Sequence, residues 1–206
     1  MSTITFFHNP MSRGQIARWA LEEVGAEYEV VPVAWDAKPQ ALIDVNPMGK
    51  IPTIVHHAAD GDRTVTEGAA ICHYLAEIHP EAGLLPTDRE KADYFRWLFF
   101  AAGPVEQAVT GKAMGFAPTS EQEGMAGFGN FDRTVDTLEW WLDSHDYVCG
   151  DRFTMADVYV GSAVDWGLMF GTLPERPSFT AYATRLRARR AYRRGKELDG
   201  MAGGAA

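Results

Sequence analysis

The chain has 206 residues, 46% of them hydrophobic, and a formal net charge of −9 at pH 7. That length holds two compact domains or one large one, and the apolar share suffices for a sizeable core. The acidic balance makes nucleic acid and anionic membranes poor partners for the surface as a whole, and no apolar run approaches a membrane span.

Met1-Ser2-Thr3-Ile4 lacks the basic patch, apolar stretch and small-residue cleavage site of an export signal, so a cytoplasmic protein is expected. Cys72 and Cys149 belong to no Cys-x-x-Cys pair. They read as buried free thiols in a reducing compartment, and no metal site is expected.

Ile4 to Phe7 read as a strand. From Ser12 to Val24 the residues Ile16, Trp19, Ala20, Leu21 and Val24 fall at helical spacing, and Gly25 ends that helix as a C′ residue. Tyr28 to Val33 read as a second strand. Pro39 suits N1 of a short helix that ends before Pro47. Thr53 to Val55 and Arg63 to Val65 read as a hairpin with Asp60-Gly61-Asp62 in its turn. Glu67 to Ile78 close this half as a helix. The order βαβαββα over residues 1–80 predicts one mixed sheet with helices on its faces.

Residues 81–88 read as a linker, punctuated by Pro80, Gly83 and Pro86 around it. Residues 89–199 carry only helical patterns and predict an all-α domain. Its helices are expected from Arg89 to about Ala101, from Glu121 to Ser144, from Met155 to Phe170 and from Ser178 to Arg194. Gly103-Pro104 should kink or interrupt the first of these, and Gly111 to Ser120 is loose. Residues 200–206 are expected to be a disordered tail.

Two segments carry a mechanism of their own. In Gly150-Asp151-Arg152-Phe153-Thr154-Met155-Ala156-Asp157-Val158, Thr154 and Asp157 have capping-box spacing, and Phe153 and Val158 form a hydrophobic staple. This nucleates a buried helix and carries no chemistry. The stretch Asn46-Pro47-Met48-Gly49-Lys50-Ile51-Pro52-Thr53-Ile54, followed by Thr66-Glu67-Gly68-Ala69-Ala70-Ile71, reads as a loop, a proline-led strand, a second strand and a helix start. The sequence predicts a cis Ile51–Pro52 bond with the Ile51 N–H and C=O turned outward as a strand edge. The helix beginning near Glu67 offers free N–H groups suited to a carboxylate. Together they can clamp a small, extended, charged peptide.

These segments, in this order and at these separations, resemble the cytosolic glutathione transferase family over nearly the whole chain. The resemblance implies an α/β thioredoxin-like N-terminal domain followed by an all-α C-terminal domain. It implies glutathione as co-substrate, a hydrophobic electrophile as second substrate, and a homodimer. The Phe7-His8-Asn9-Pro10-Met11-Ser12-Arg13-Gly14 loop looks like bacterial members that use serine or cysteine.

Carried over residue by residue, Ile51 and Pro52 match the position that pairs with the ligand cysteine backbone. Glu67 matches the acid that holds the γ-glutamyl amino group; it would equally suit the helix dipole. Gly68 stands where the family usually has serine or threonine, so its N–H remains a donor while a hydroxyl is missing. Lys50 and Lys38 match positions near the glycyl end. A donor beside the sulfur must stabilise the thiolate. Ser12 is the first candidate, Asn9 the second and His8 the third; Ser12 reads equally as an N-cap and Asn9 as a turn residue before Pro10. An electrophile pocket is expected to be lined by Met11, Tyr94, Trp97, Phe100 and Phe116. The implied activity is attack by the glutathione thiolate on an electrophilic carbon. A glutathione-dependent peroxidase or disulfide reductase on the same site, and a non-catalytic binding or assembly module, are the alternatives.

Overall fold

The computed structural model describes residues 3–201. Two compact units emerge: Met1–Leu85 together with Ala188–Ala206, and Pro86–Arg187.

In the first unit, strands β1 (Ile4–His8), β2 (Tyr28–Pro32), β3 (Thr53–Ala58) and β4 (Gly61–Thr66) form one sheet in the order β2-β1-β3-β4. β1 runs parallel to β2 and antiparallel to β3, and β3 pairs antiparallel with β4. Helices α1 (Gly14–Val24), α2 (Gln40–Val45) and α3 (Gly68–Ile78) complete the predicted βαβαββα order. Alternate residues of a strand face opposite sides. Phe7 and Val55 therefore pack with Val33 and Leu42 on one side of the sheet. On the other, Phe6 stacks on His8, and Arg18 of α1 lies 5.4 Å over the Phe6 ring. Gly25 ends α1 at φ 65°, as the sequence predicts. α1 starts two residues later than expected, because Ser12 spends its hydroxyl on the Gly14 N–H at 2.9 Å instead of entering the helix.

The hairpin is longer than the sequence suggests. Ala58 pairs with Gly61, which confines the turn to Ala59-Asp60 and brings Gly61 and Asp62 into β4.

The second unit is all-helical, with α4 (Lys91–Phe100), α5 (Glu106–Ala113), α6 (Phe131–Leu142), α7 (Met155–Met169) and α8 (Pro177–Arg187). A π-helical turn at Ala101–Val105 joins α4 to α5. It contains Pro104, whose missing N–H and bulky ring disfavour an ordinary α-turn there. The core includes Tyr94, Trp97, Leu138, Phe179 and Tyr182. Asp157 is wholly buried at the start of α7. It accepts the Thr154 N–H, as the capping box requires, and also hydrogen bonds from the Thr154 hydroxyl, the Val148 N–H and the Tyr182 hydroxyl. Burial pushes its carboxyl up to about 6.

Two helix expectations are corrected. The helix expected from Glu121 begins only at Phe131, where the Asn130 side chain caps it by accepting the Arg133 N–H. Gly124, Gly127 and Gly129, the last at φ 66°, keep the preceding residues in turns. The helix expected over Ser178 to Arg194 is two helices. Arg189 is extended at ψ 139° and separates α8 from α9 (Arg190–Leu198). α9 belongs to the first unit and packs on α1, so the all-helical unit stops at Arg187 and not near residue 199. Gly195 permits the approach, since a Cβ there would lie 3.4 Å from the Arg18 side chain and 3.7 Å from the Trp19 backbone. Of the tail expected to be disordered, Gly200 and Met201 cap α9 through bonds to the Glu197 and Lys196 carbonyls. Residues 202–206 lie outside the described residues.

Candidate active site

The loop between α2 and β3 is braced from within. Asn46 is buried, and its amide donates to the Lys50 carbonyl and to Thr53 Oγ1, both at 3.0 Å. Thr53 Oγ1 in turn donates to the same Lys50 carbonyl at 2.8 Å. Gly49 sits at φ 58°, and a Cβ there would press on Ile43 and on the aliphatic stem of Lys38. Lys38 thus lies against Gly49, and Lys50 follows it exposed to solvent. The Ile51–Pro52 peptide is cis, as the sequence predicts. Among the described residues, neither the Ile51 N–H nor its C=O has a hydrogen-bond partner. Asn46 and Thr53 were not singled out from sequence; the only signal was an asparagine directly before Pro47.

The hairpin register brings the second half of the site alongside. The ladder ends where Thr53 pairs with Thr66, so the segment carrying Ile51 and Pro52 and the segment carrying Glu67 and Gly68 leave the hairpin at the same end. Glu67 is exposed and precedes α3 at φ 63°, ψ 118°. The first intrahelical bond runs from the Ile71 N–H to the Glu67 carbonyl, which leaves the Gly68, Ala69 and Ala70 N–H groups without a backbone acceptor. A carboxylate, three helix N-terminal donors and an unpaired strand edge therefore lie at one end of the hairpin, with Lys50 on the loop that leads into that edge and Lys38, from the segment before α2, against Gly49 of that loop.

The loop after β1 holds the sulfur-activating candidates. Asn9 donates from its amide to the Val33 carbonyl and accepts the Met11 N–H on Oδ1, both at 2.8 Å, which makes it a turn former. Ser12 is buried; its hydroxyl donates to the Asn9 carbonyl at 2.7 Å while accepting from Gly14. The Ser12 N–H has no acceptor among the described residues. Met11 stands exposed beside it.

His8 does not face solvent with these groups. It is 2% exposed, and its Nε2 donates to Asp199 Oδ1 at 2.7 Å. Arg18 Nε donates to the same oxygen at 3.0 Å and Arg18 also donates to the Tyr28 hydroxyl. That phenol, pushed up to about 12 by burial and by its bond to Glu22, stays neutral and donates to Glu22. His8 is thus corrected from direct thiol donor to buried support. Arg18 and Asp199 were missed because the partners are 181 positions apart in the chain.

Tyr94 and Trp97 are also corrected. Both are wholly buried and pack in the helical core, Trp97 with its centroid 5.1 Å from that of Trp141, so they offer no wall to an incoming substrate. Phe100 is partly buried, while Phe116, like Met11, is exposed. Burial pushes both cysteine thiols up, Cys149 to about 12, so neither is a ready thiolate.

A family model for the glutathione S-transferase N-terminal domain matches residues 2–77, and one for its C-terminal domain matches residues 94–190. A probable maleylacetoacetate isomerase of Caenorhabditis elegans is 32% identical over 150 residues, which is 68% of this chain and 66% of that protein. Glutathione S-transferase GstA of Escherichia coli O157:H7 is 27% identical, covering 78% of this chain and 80% of its own. A sphingomonad glutathione S-transferase solved with glutathione superposes with a TM-score of 0.75 at 26% identity, over 96% of this chain and all of its own. The chain belongs to the glutathione S-transferase family. It is accordingly a glutathione transferase or a related glutathione-dependent enzyme.

Proposed function

We propose that this protein transfers glutathione to hydrophobic or aromatic electrophiles. The observation that supports the reading is the hairpin register, which ends with Thr53 opposite Thr66 and so brings the segments carrying the unpaired Ile51 and Glu67 out at the same end of the hairpin. Glutathione would lie along that edge. Its cysteinyl backbone would pair with Ile51, its γ-glutamyl ammonium would meet Glu67, and its γ-glutamyl carboxylate would accept from Gly68. Lys38 and Lys50 would attract its glycyl carboxylate. A free thiol has a pKa of ~8.5, so the site must favour the anion. Ser12, through its hydroxyl once turned from the Asn9 carbonyl and through its N–H, is the donor we assign to it; Asn9 holds the turn. The thiol proton leaves to solvent, the thiolate forms a C–S bond to the electrophilic carbon, and the leaving group departs with the electron pair. Most of the rate would come from positioning. Met11, exposed beside Ser12, offers apolar surface to the electrophile.

No helix among the described residues is long and apolar enough to cross a membrane. We place the enzyme in the cytoplasm as a homodimer, for which Phe95 and Phe99, stacked on the exposed face of α4, offer apolar surface.

The test is conjugation of a chlorinated nitrobenzene by wild type, Ser12→Ala and Asn9→Ala. Ser12→Ala should lose about a hundredfold or more in kcat, with a smaller loss in Asn9→Ala. Unchanged turnover in both variants rejects the assignment. Peroxide or hydroxyethyl-disulfide turnover exceeding conjugation would replace the reaction with reduction.

A further inference from the structure

The closing segment of the chain reaches the sulfur-activating turn from behind, at two points. At the first, Asp199 holds His8 by its Nε2, and the His8 ring lies directly under the first turn of α1. Contact there is close enough that a Cβ on Gly14 would collide with His8 Nδ1 while standing 2.9 Å from Ser12 Oγ. At the second, Lys196 donates to Gln15 Oε1 at 2.7 Å, and the Gln15 amide donates to the carbonyl of Pro10. The loop carrying Asn9 to Ser12 is thus gripped on both sides by Lys196 of α9 and by Asp199, which caps that helix. The grip is buried. The His8 and Asp199 side chains are each 1% exposed, and the Arg18 side chain that shares the carboxylate is 7% exposed.

The cluster has features that a purely structural ion pair would not need. His8 Nδ1 and Asp199 Oδ2 are both buried without a hydrogen-bond partner. Such atoms are costly, about 1–3 kcal/mol each. A carboxylate only accepts, so its bond to Nε2 fixes which nitrogen carries the proton there and orients the ring. Nδ1 is then left pointing at the turn that presents Gly14 N–H and Ser12 Oγ.

We propose that Asp199 is a positioning residue: acting through His8, it sets the first turn of α1 so that Ser12 meets the glutathione sulfur. This rests on the reading of Ser12 given above. It makes the residue that caps the C-terminus of α9 part of the activating apparatus. Arg18 keeps the carboxylate aimed by bonding the same oxygen, and Gly14 is required because any side chain would displace the imidazole.

The experiment compares wild type with Asp199→Asn, Asp199→Ala and Arg189→Ala. Arg189 anchors α9 through a double hydrogen bond to Glu23 of α1, so it controls for loosened docking. Three quantities are read: kcat and the glutathione KM, the ultraviolet absorption of the bound thiolate, and amide hydrogen exchange at Gly14 and Gln15 in ligand-free protein. Asp199→Ala should lower kcat about tenfold, as small misplacements at a reacting centre do. Its glutathione KM should change less than about twofold, since the Ile51 and Glu67 contacts are untouched. Its thiolate absorption should fall and its Gly14 exchange should quicken. Asp199→Asn, which keeps an acceptor oxygen, should lie between it and wild type and stands in if Asp199→Ala does not fold. Arg189→Ala should keep thiolate absorption and kcat. Wild-type thiolate absorption and Gly14 exchange in both Asp199 variants would overturn the proposal, as would equal losses in Arg189→Ala. Quickened exchange in a protein whose wild type shows no bound thiolate would instead support the positioning and reject the transferase reading.

Discussion

Glu67 is the one non-glycine residue with positive φ among the described residues, at 63°. Holding a residue with a Cβ in such a conformation costs about 1–3 kcal/mol. The fold accepts that cost at the position where the carboxylate faces the proposed ammonium of glutathione. Glu67→Gly should therefore separate stability from binding. Glycine removes the strain but gives back about 0.5–1 kcal/mol through the greater freedom of the unfolded chain. The net gain is about 1 kcal/mol, or about 2–4 °C in Tm for a chain of this length. Losing a charge-assisted bond costs about 1.5–3 kcal/mol, so glutathione should bind roughly 10- to 100-fold more weakly. Glu67→Ala keeps a Cβ and hence the strain, so it should lose the same affinity without the rise in Tm. Thermal unfolding and calorimetric titration with glutathione measure both quantities. A glycine variant no more stable than wild type would refute the strain argument. Unaltered affinity in both variants would refute the role given to the carboxylate.

Asp157→Ala strands the Val148 N–H, the Thr154 N–H and the Tyr182 hydroxyl in the core. At about 1 kcal/mol or more each, the loss is about 3 kcal/mol or more, so Tm should drop by at least about 6 °C; a drop below about 3 °C would contradict the network. Hydrogen bonds from Arg152 hold the Glu90 carboxyl down at about 2, below its ordinary 4.5. A depressed acid stabilises above its unfolded value and loses that contribution as pH falls through its folded one. The stability gap between wild type and Glu90→Gln should be about 1 kcal/mol at neutral pH, given the solvent screening of Arg152, and should close towards pH 2. Urea unfolding at several pH values checks this, and a gap constant with pH would count against it.

Local patterns made much of the molecule legible. Gly25, the βαβαββα alternation, the capping box at Thr154 and Asp157, and the proline before β3 each act within a few residues. Their physics is short-ranged, and the structure repeats them. Helix ends were harder to read. The run from Glu121 has good helix formers, but Gly124, Gly127 and Gly129 let the backbone turn, and the Asn130 cap decides the start. The basic run from Ser178 reads as one helix, because nothing local marks Arg189 as extended.

Ile51, Pro52, Glu67 and Gly68, which we propose hold glutathione, could be brought together from sequence because a single hairpin joins their two segments. What surrounds the sulfur could not. His8, Arg18 and Asp199 meet only because α9 returns to α1, and long-range packing sets which side chains are buried together. The same packing took Tyr94 and Trp97 into the core, since an aromatic stripe at helical spacing carries no label saying which of its residues water still reaches.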